Sequence, residues 1–274
     1  MRGAPALTSA LLAALLVASP GRAEDLAPAH VGYAVYAAGM NVLDITSEVD
    51  VAGPRYRLDF SSRTAGLFGA FFNSQSDSFV QGAWMGTRPA PLRFASWGTL
   101  RGTARRTTLD YEFGQPVVRT LEPPDEPDHD AVPLALQRDT VDALSALAML
   151  VRQVALTNRC DGHLTIFDGR RVSEITARTV GEEALAPTSR STFAGPALRC
   201  DFAGRQLAGF KHDESETDRN KVHESTAWFA RVVPGAPPLP VRVRFESRFF
   251  SQATAYLVEA GPGHPGLTTI GATR

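Results

Sequence analysis

The chain has 274 residues, 43 % hydrophobic and 21 % charged, a globular composition of a size for one large domain or two small ones. Its formal net charge is −1, and removing a leader that carries Arg2 and Arg22 takes the remainder to −3. No basic excess exists to neutralise a phosphate backbone, so no nucleic-acid partner is expected.

The first element is a leader. Met1-Arg2 is a basic start, Ala6 to Ala18 is an apolar run, and Gly21-Arg22-Ala23 ends on small residues before Glu24. That plan predicts a signal peptide over 1–23, cleaved after about Ala23, and a periplasmic mature protein. The run is too short to span a bilayer, and no later stretch approaches ~20 uninterrupted apolar residues, so no transmembrane segment is expected.

Strict alternation then recurs along the chain. Arg55-Tyr56-Arg57-Leu58-Asp59-Phe60 places apolar side chains on one face and charges on the other, as a half-buried antiparallel strand requires. Segments 108–113 and 241–246 repeat this pattern, and less regular candidates lie at 31–37, 41–50, 75–82, 91–98, 116–121, 163–167, 171–180, 197–203, 224–233 and 253–259. Ala38-Gly39, Gly53-Pro54, Gly114-Gln115 and Asp168-Gly169 supply turns between them. The spacing is that of a meander.

Between the third and fourth strands, Gly66-Leu67-Phe68-Gly69-Ala70-Phe71-Phe72 concentrates large apolar side chains outside any strand. Leu67, Phe68, Phe71 and Phe72 are candidates for a lid over an apolar cavity, or for contact with a membrane surface. A short buried helix plugging the barrel end is the competing reading. Glu122 to Asp130 reads as a proline-rich acidic linker.

One segment breaks the β rhythm. From Asp139 to Leu156, Val141, Leu144, Leu147, Ala148, Val151 and Val154 recur at helical spacing, with Asp139 or Thr140 as cap. The helix is apolar nearly all round, which predicts burial against the sheet. About a dozen strands ~4.8 Å apart make a sheet near ~58 Å wide, whereas a helix of about 16 residues is only ~24 Å long. One helix cannot cover that face. The fold expected is therefore mainly β, a curled antiparallel sheet forming a half-barrel or open barrel, with one buried helix on its concave face.

Cys160 and Cys200 both fall where neighbouring strands are expected, and two cysteines in an exported chain are expected to pair. A reactive thiol or metal pair is the alternative, but no histidine stands at ligand spacing from either cysteine. His212 to Asp218, with His223-Glu224, has metal-binding residue types at spacings of neither a calcium loop nor a zinc pair, and reads as a solvated polar edge. No metal and no cofactor is expected. After Ala260 a Gly/Pro-rich tail, 261–274, is expected to be flexible.

Enzyme motifs are missing: there is no Gly-x-Ser-x-Gly, no phosphate-binding glycine loop, no His-Glu-x-x-His and no Ser-x-x-Lys. No catalytic residue is therefore named and no enzymatic activity is expected.

An ordered set of short motifs carries a family resemblance. It comprises Tyr33 to Met40, Arg63 to Gly69, Asp142 to Leu147, Cys160-Asp161-Gly162 with Phe167 to Arg171, Gly195 to Cys200, and Leu239-Pro240-Val241-Arg242. Over roughly residues 30–260 the chain resembles the DUF3108 family, exported bacterial proteins without an assigned activity, and is more loosely similar to half-barrel lipoprotein carriers of the periplasm. The resemblance implies a single β-rich envelope domain. The function expected is binding of a hydrophobic or lipid-like molecule; the alternative is a non-enzymatic scaffold or assembly factor with an envelope protein partner.

Overall fold

A computed structural model of the chain describes residues 26–124, 129–246 and 252–264. The leader, the middle of the acidic linker and the end of the tail lie outside the described residues.

Among the described residues thirteen strands form one sheet. In chain order they are β1 (Ala29–Ala37), β2 (Met40–Asp50), β3 (Arg55–Thr64), β4 (Ser74–Met85), β5 (Arg88–Leu100), β6 (Thr103–Glu112), β7 (Gln115–Glu122), β8 (Gly162–Phe167), β9 (Val172–Leu185), β10 (Gly195–Ala208), β11 (His223–Ala230), β12 (Leu239–Phe245) and β13 (Ala253–Pro262). Every strand expected from alternation is present. The order across the sheet is β7-β6-β5-β4-β3-β2-β1-β13-β12-β11-β10-β9-β8, and each neighbouring pair is antiparallel. Two meanders, β1–β7 and β8–β13, are thus joined edge to edge by β1 and β13.

The sheet curls into a nearly closed barrel whose end strands, β7 and β8, do not pair. Side chains close it instead. Leu109 of β6 packs with Phe167 of β8, Val172 of β9 and Ala208 of β10, all buried. The β8–β9 turn fits against the first meander because residue 169 is glycine. Its φ is +96°, and a Cβ there would stand 2.9 Å from Thr107 Cγ2.

Among the described residues four helices accompany the sheet, where the sequence predicted one: α1 (Gly66–Phe71), α2 (Leu134–Gln137), α3 (Ala143–Thr157) and α4 (Glu216–Arg219). Of these four, α3 alone is longer than two turns. It begins later than expected, and its cap is Asp142 rather than Asp139 or Thr140. The reason is local. The Thr140 hydroxyl donates to Gln137 O, and Val141 bridges Ile166 of β8, so helical geometry starts only where the Asp142 carboxylate accepts from Ser145 N at 2.8 Å. The tail also begins later than expected, because Gly261 and Pro262 extend β13 opposite His30 and Ala29.

α3 packs on β3, β4, β5 and β8. Leu144, Ala148, Val151 and Val154 enter the main core with Val31, Leu58, Val80 and Leu257. Truncating one of the larger of these side chains costs about 2–5 kcal/mol. Two polar anchors fix the helix further. Arg152 donates to Val51 O and Gly53 O at 3.0 and 3.1 Å, with its guanidinium 4.5 Å from the Trp84 ring. Near the other end, the Ser145 hydroxyl donates to Asp142 Oδ2 at 2.6 Å and stands 2.8 Å from the Tyr56 hydroxyl; the Tyr111 hydroxyl donates to the same carboxylate. Residue 82 must be small here, since a Cβ would lie 2.4 Å from the Tyr56 ring.

Asp142 and Ser145 are fully buried. Burial pushes the Asp142 carboxyl above its ordinary value of 3.8, more than the hydrogen bonds from Ser145 and Tyr111 lower it. A carboxyl with a raised folded pKa binds its proton more tightly when folded, so its contribution is fully present below 3.8 and is lost as pH rises through the folded value. In Asp142→Asn this loss disappears. Urea unfolding from pH 4 to 8 is expected to give a variant-minus-wild-type difference that shifts in the variant's favour as pH rises. A pH-independent difference would refute a raised Asp142 pKa.

Cys160 and Cys200 form a disulfide across a separation of 40 residues, with Cα atoms 6.2 Å apart, and no free cysteine remains. The bond ties the end of α3 to β10. A loop of this size contributes about 4 kcal/mol by chain entropy. Thiol titration of denatured, unreduced protein is expected to find no free thiol, and the Cys160→Ser/Cys200→Ser variant is expected to lose stability of that order by urea unfolding.

Candidate functional site

The second face of α3 is only partly buried, with Leu147 and Leu150 packed at the margin of the core. Ala143, Ala146, Leu147 and Leu150 line one wall of a groove whose other wall is Leu164 and Ile166 of β8, Ile175 and Ala177 of β9, and Phe202 of β10. Its volume is ≈ 240 Å³. Period-2 alternation puts the strand residues on one face, and the pairs Leu164–Ile175 and Ala177–Phe202 stand directly opposite in register. The helix supplies its wall at i, i+3, i+4 and i+7 from Ala143.

Polar side chains occur at the groove only as Gln153 and His163. The Gln153 amide donates to Asp161 O at 2.7 Å, and His163 lies 3.4 Å from Glu174, which also accepts from Arg205. These hydrogen bonds face the protein and the rim, so the groove interior presents hydrocarbon. Cys160 also lines it, which places the disulfide in its floor.

The entrance to β8 is held in place by Asp161. Its carboxylate accepts from Thr179 N and Thr179 Oγ1 at 2.9 and 2.7 Å, and these bonds, with Arg159 beside it, lower its pKa to about 2. On the outer edge of β8, Val141 N donates to Thr165 O and Phe167 N to Val141 O, a single parallel bridge. Among the described residues no strand pairs with that edge.

The residues singled out by sequence fall elsewhere. Leu67, Phe68, Phe71 and Phe72 belong to α1 and its cap, which pack on β2 and β3, and none of the four lines the groove. Phe68 turns inward onto Val35, Ala37, Val42, Ala253 and Ala255, a second core cluster at that end of the sheet. Leu67 and Phe71 are 75 % and 81 % exposed, and Phe72 is stacked on Phe68 at 4.8 Å beneath the Arg101 guanidinium. The polar segment at 212–224 forms ion pairs: His212 with Asp130, and Lys221 and His223 with Glu246. Among the described residues no group of three or more His, Cys, Asp or Glu side chains is placed to hold a metal. Nor is any described helix long and apolar enough to cross a membrane.

Leu147, Leu150, Leu164, Ile175 and Phe202 were not distinguished from core by sequence reasoning. The signal was present in the excess of apolar positions around α3. A larger depression, ≈ 450 Å³, adjoins the end of α3, but Arg159, Glu182 and Arg231 line it together with apolar groups. The smaller groove has the uniform chemistry of a ligand site.

Comparison with known proteins agrees with this architecture. Residues 32–258 match the family described as "Protein of unknown function (DUF3108)". No curated protein matches the chain. A solved structure titled "Beta-barrel-like Protein of Domain of Unknown Function DUF1849", from Brucella abortus, is similar over 88 % of this chain and 99 % of its own, at a TM-score of 0.50 and 13 % identity. That likeness concerns the fold alone. The match over most of its length establishes that the chain belongs to the DUF3108 family.

Proposed function

We propose that this protein is a periplasmic envelope protein that binds a hydrophobic, lipid-like ligand in the groove between α3 and β8–β10, without catalysing a reaction. The observation that carries the proposal is the chemistry of the groove: two polar side chains at its margin and hydrocarbon between them. On this reading α3 lies on the concave face and divides its apolar surface. One side of the helix is core, and the other is left for the ligand. The disulfide suits an oxidising compartment, in keeping with export. A scaffold role is the second reading, favoured by the outer edges of β7 and β8, with which no described strand pairs and where a partner strand could add.

Each methylene taken into the groove contributes ~0.8 kcal/mol, so a fluorescent fatty acid two methylenes longer is expected to bind about tenfold more tightly until the groove is full. Ala146→Trp fills the groove from the helix side. It is expected to abolish uptake while the melting temperature stays within a few degrees, and organic extracts of natively purified wild-type protein are expected to contain lipid by mass spectrometry. Wild-type protein that binds no apolar probe, or undiminished binding by Ala146→Trp, would favour the scaffold.

A further inference from the structure

Three of the segments that carry the family resemblance supply side chains the groove does not use: Tyr36, Arg199 and Arg242. Strand register gathers them onto one face of the sheet. Arg199 of β10 pairs with Trp228 of β11, Trp228 with Arg242 of β12, and Arg242 with Tyr256 of β13. Tyr36 of β1 meets Tyr256 edge-on at 5.9 Å, and the Arg190 guanidinium lies 4.6 Å from the Tyr36 ring. Val241 and Leu257 belong to the core, so Arg242, Arg244 and Tyr256, one residue out of phase with them, stand on the opposite face.

Trp228 is the centre of this row. The guanidinium carbons of Arg199, Arg242 and Arg244 lie 5.9, 5.9 and 5.2 Å from its ring centre, and that of Arg242 is also 5.3 Å from the Tyr256 ring. The nearby carboxylates are engaged by other cations. Glu183 pairs with Arg199 and accepts from the Trp228 indole N–H; Asp201 pairs with Arg199 and Arg178; Glu246 pairs with Lys221 and His223. Among the described residues Arg242 and Arg244 have no carboxylate partner, and the Arg242 Nε is buried without a hydrogen-bond acceptor.

Guanidinium does not give up its proton at any physiological pH, so two of them beside one indole repel each other unless an anion lies between. Their planar forks match the oxygens of a tetrahedral anion with paired N–H bonds. Stacking against Trp228 and Tyr256 holds the long stems in place beforehand, which lowers the entropy lost on binding.

We propose that Arg242 and Arg244, seated on Trp228, form a binding site for a phosphate-type oxyanion, carried either by a lipid headgroup or by free phosphate. The site stands on strand register and ion pairing, and is independent of the apolar groove.

The test compares wild-type protein, Arg242→Gln/Arg244→Gln and Arg178→Gln, the last a control on the same sheet. Inorganic phosphate is titrated against chloride at constant ionic strength and read by melting temperature, and vesicles of phosphatidylglycerol and of phosphatidylcholine are read by co-sedimentation. A saturable rise in melting temperature with phosphate, weakened about tenfold or more in the double variant and retained in Arg178→Gln, supports the site with a free anion. No response to phosphate, with co-sedimentation on phosphatidylglycerol alone that the double variant loses, supports the site with a headgroup. The proposal is overturned if wild-type protein responds to neither, or if its response survives in the double variant. Should the double variant fail to fold, Arg244→Gln alone is expected to weaken the same response several-fold, and an unchanged response overturns the proposal.

Discussion

A thirteen-stranded sheet exposes far more apolar surface than a fifteen-residue helix can cover. Everything else in this molecule follows from how that surplus is hidden. The sheet bends until β6 reaches β8, β9 and β10, and Leu109 and Phe167 meet in a buried cluster without a hydrogen-bonded seam. A seam made by side chains lets the end strands stay apart, while α3 packs on β3, β4, β5 and β8. The outer edge of β8 is bridged only at Val141, and the groove opens beside it.

A helix packed on such a sheet has to be held at a chosen position and rotation, because hydrophobic contact alone is non-directional. Here polar groups set both. Arg152 grips the β2–β3 turn at one end, and the Tyr56–Ser145–Asp142 chain of hydrogen bonds fixes the other. A buried carboxyl is a costly choice for this purpose unless its oxygens are satisfied. Asp142 meets that condition by capping the helix, accepting from Ser145 twice and from Tyr111 once. The rotation so fixed buries Leu144, Ala148 and Val151 in the core and sets Ala146, Leu147 and Leu150 along the groove, the two leucines also touching the core.

The two faces of the second meander differ in chemistry for the same geometric reason. Alternation sends every other residue of β8–β13 inward, where Leu164, Ile175, Phe202 and Val241 are apolar, and the remainder outward, where Arg199, Trp228, Arg242 and Tyr256 stack. Trp228 is buried with the main core cluster, and the guanidinium groups of Arg199, Arg242 and Arg244 lie around its ring. An apolar recess and an arginine-aromatic row thus occupy opposite sides of one thin layer.

Much of this was legible in the chain. Period-2 alternation located three strands and less regular runs between turn signals the other ten, the helical run at 139–156 located α3, and the size mismatch between one helix and a dozen strands required a curled sheet. Leu67, Phe68, Phe71 and Phe72 stood out by sequence, yet composition carries no information on which cavity a short helix adjoins, and α1 packs instead on β2 and β3. The groove residues were indistinguishable from core because neighbouring apolar positions on an all-round apolar helix read alike until the helix is rotated into place. Leu147 reaches the groove and Ala148 the core only through the Asp142 and Arg152 anchors. Arg199, Trp228, Arg242 and Tyr256 lie far apart along the chain and become neighbours only through register. Local periodicity and residue chemistry were enough to specify the strands, the long helix and the two partners of the disulfide. Which apolar face stayed open, and which arginines met without a carboxylate, emerged only on folding, because both depend on long-range contacts that no local pattern encodes.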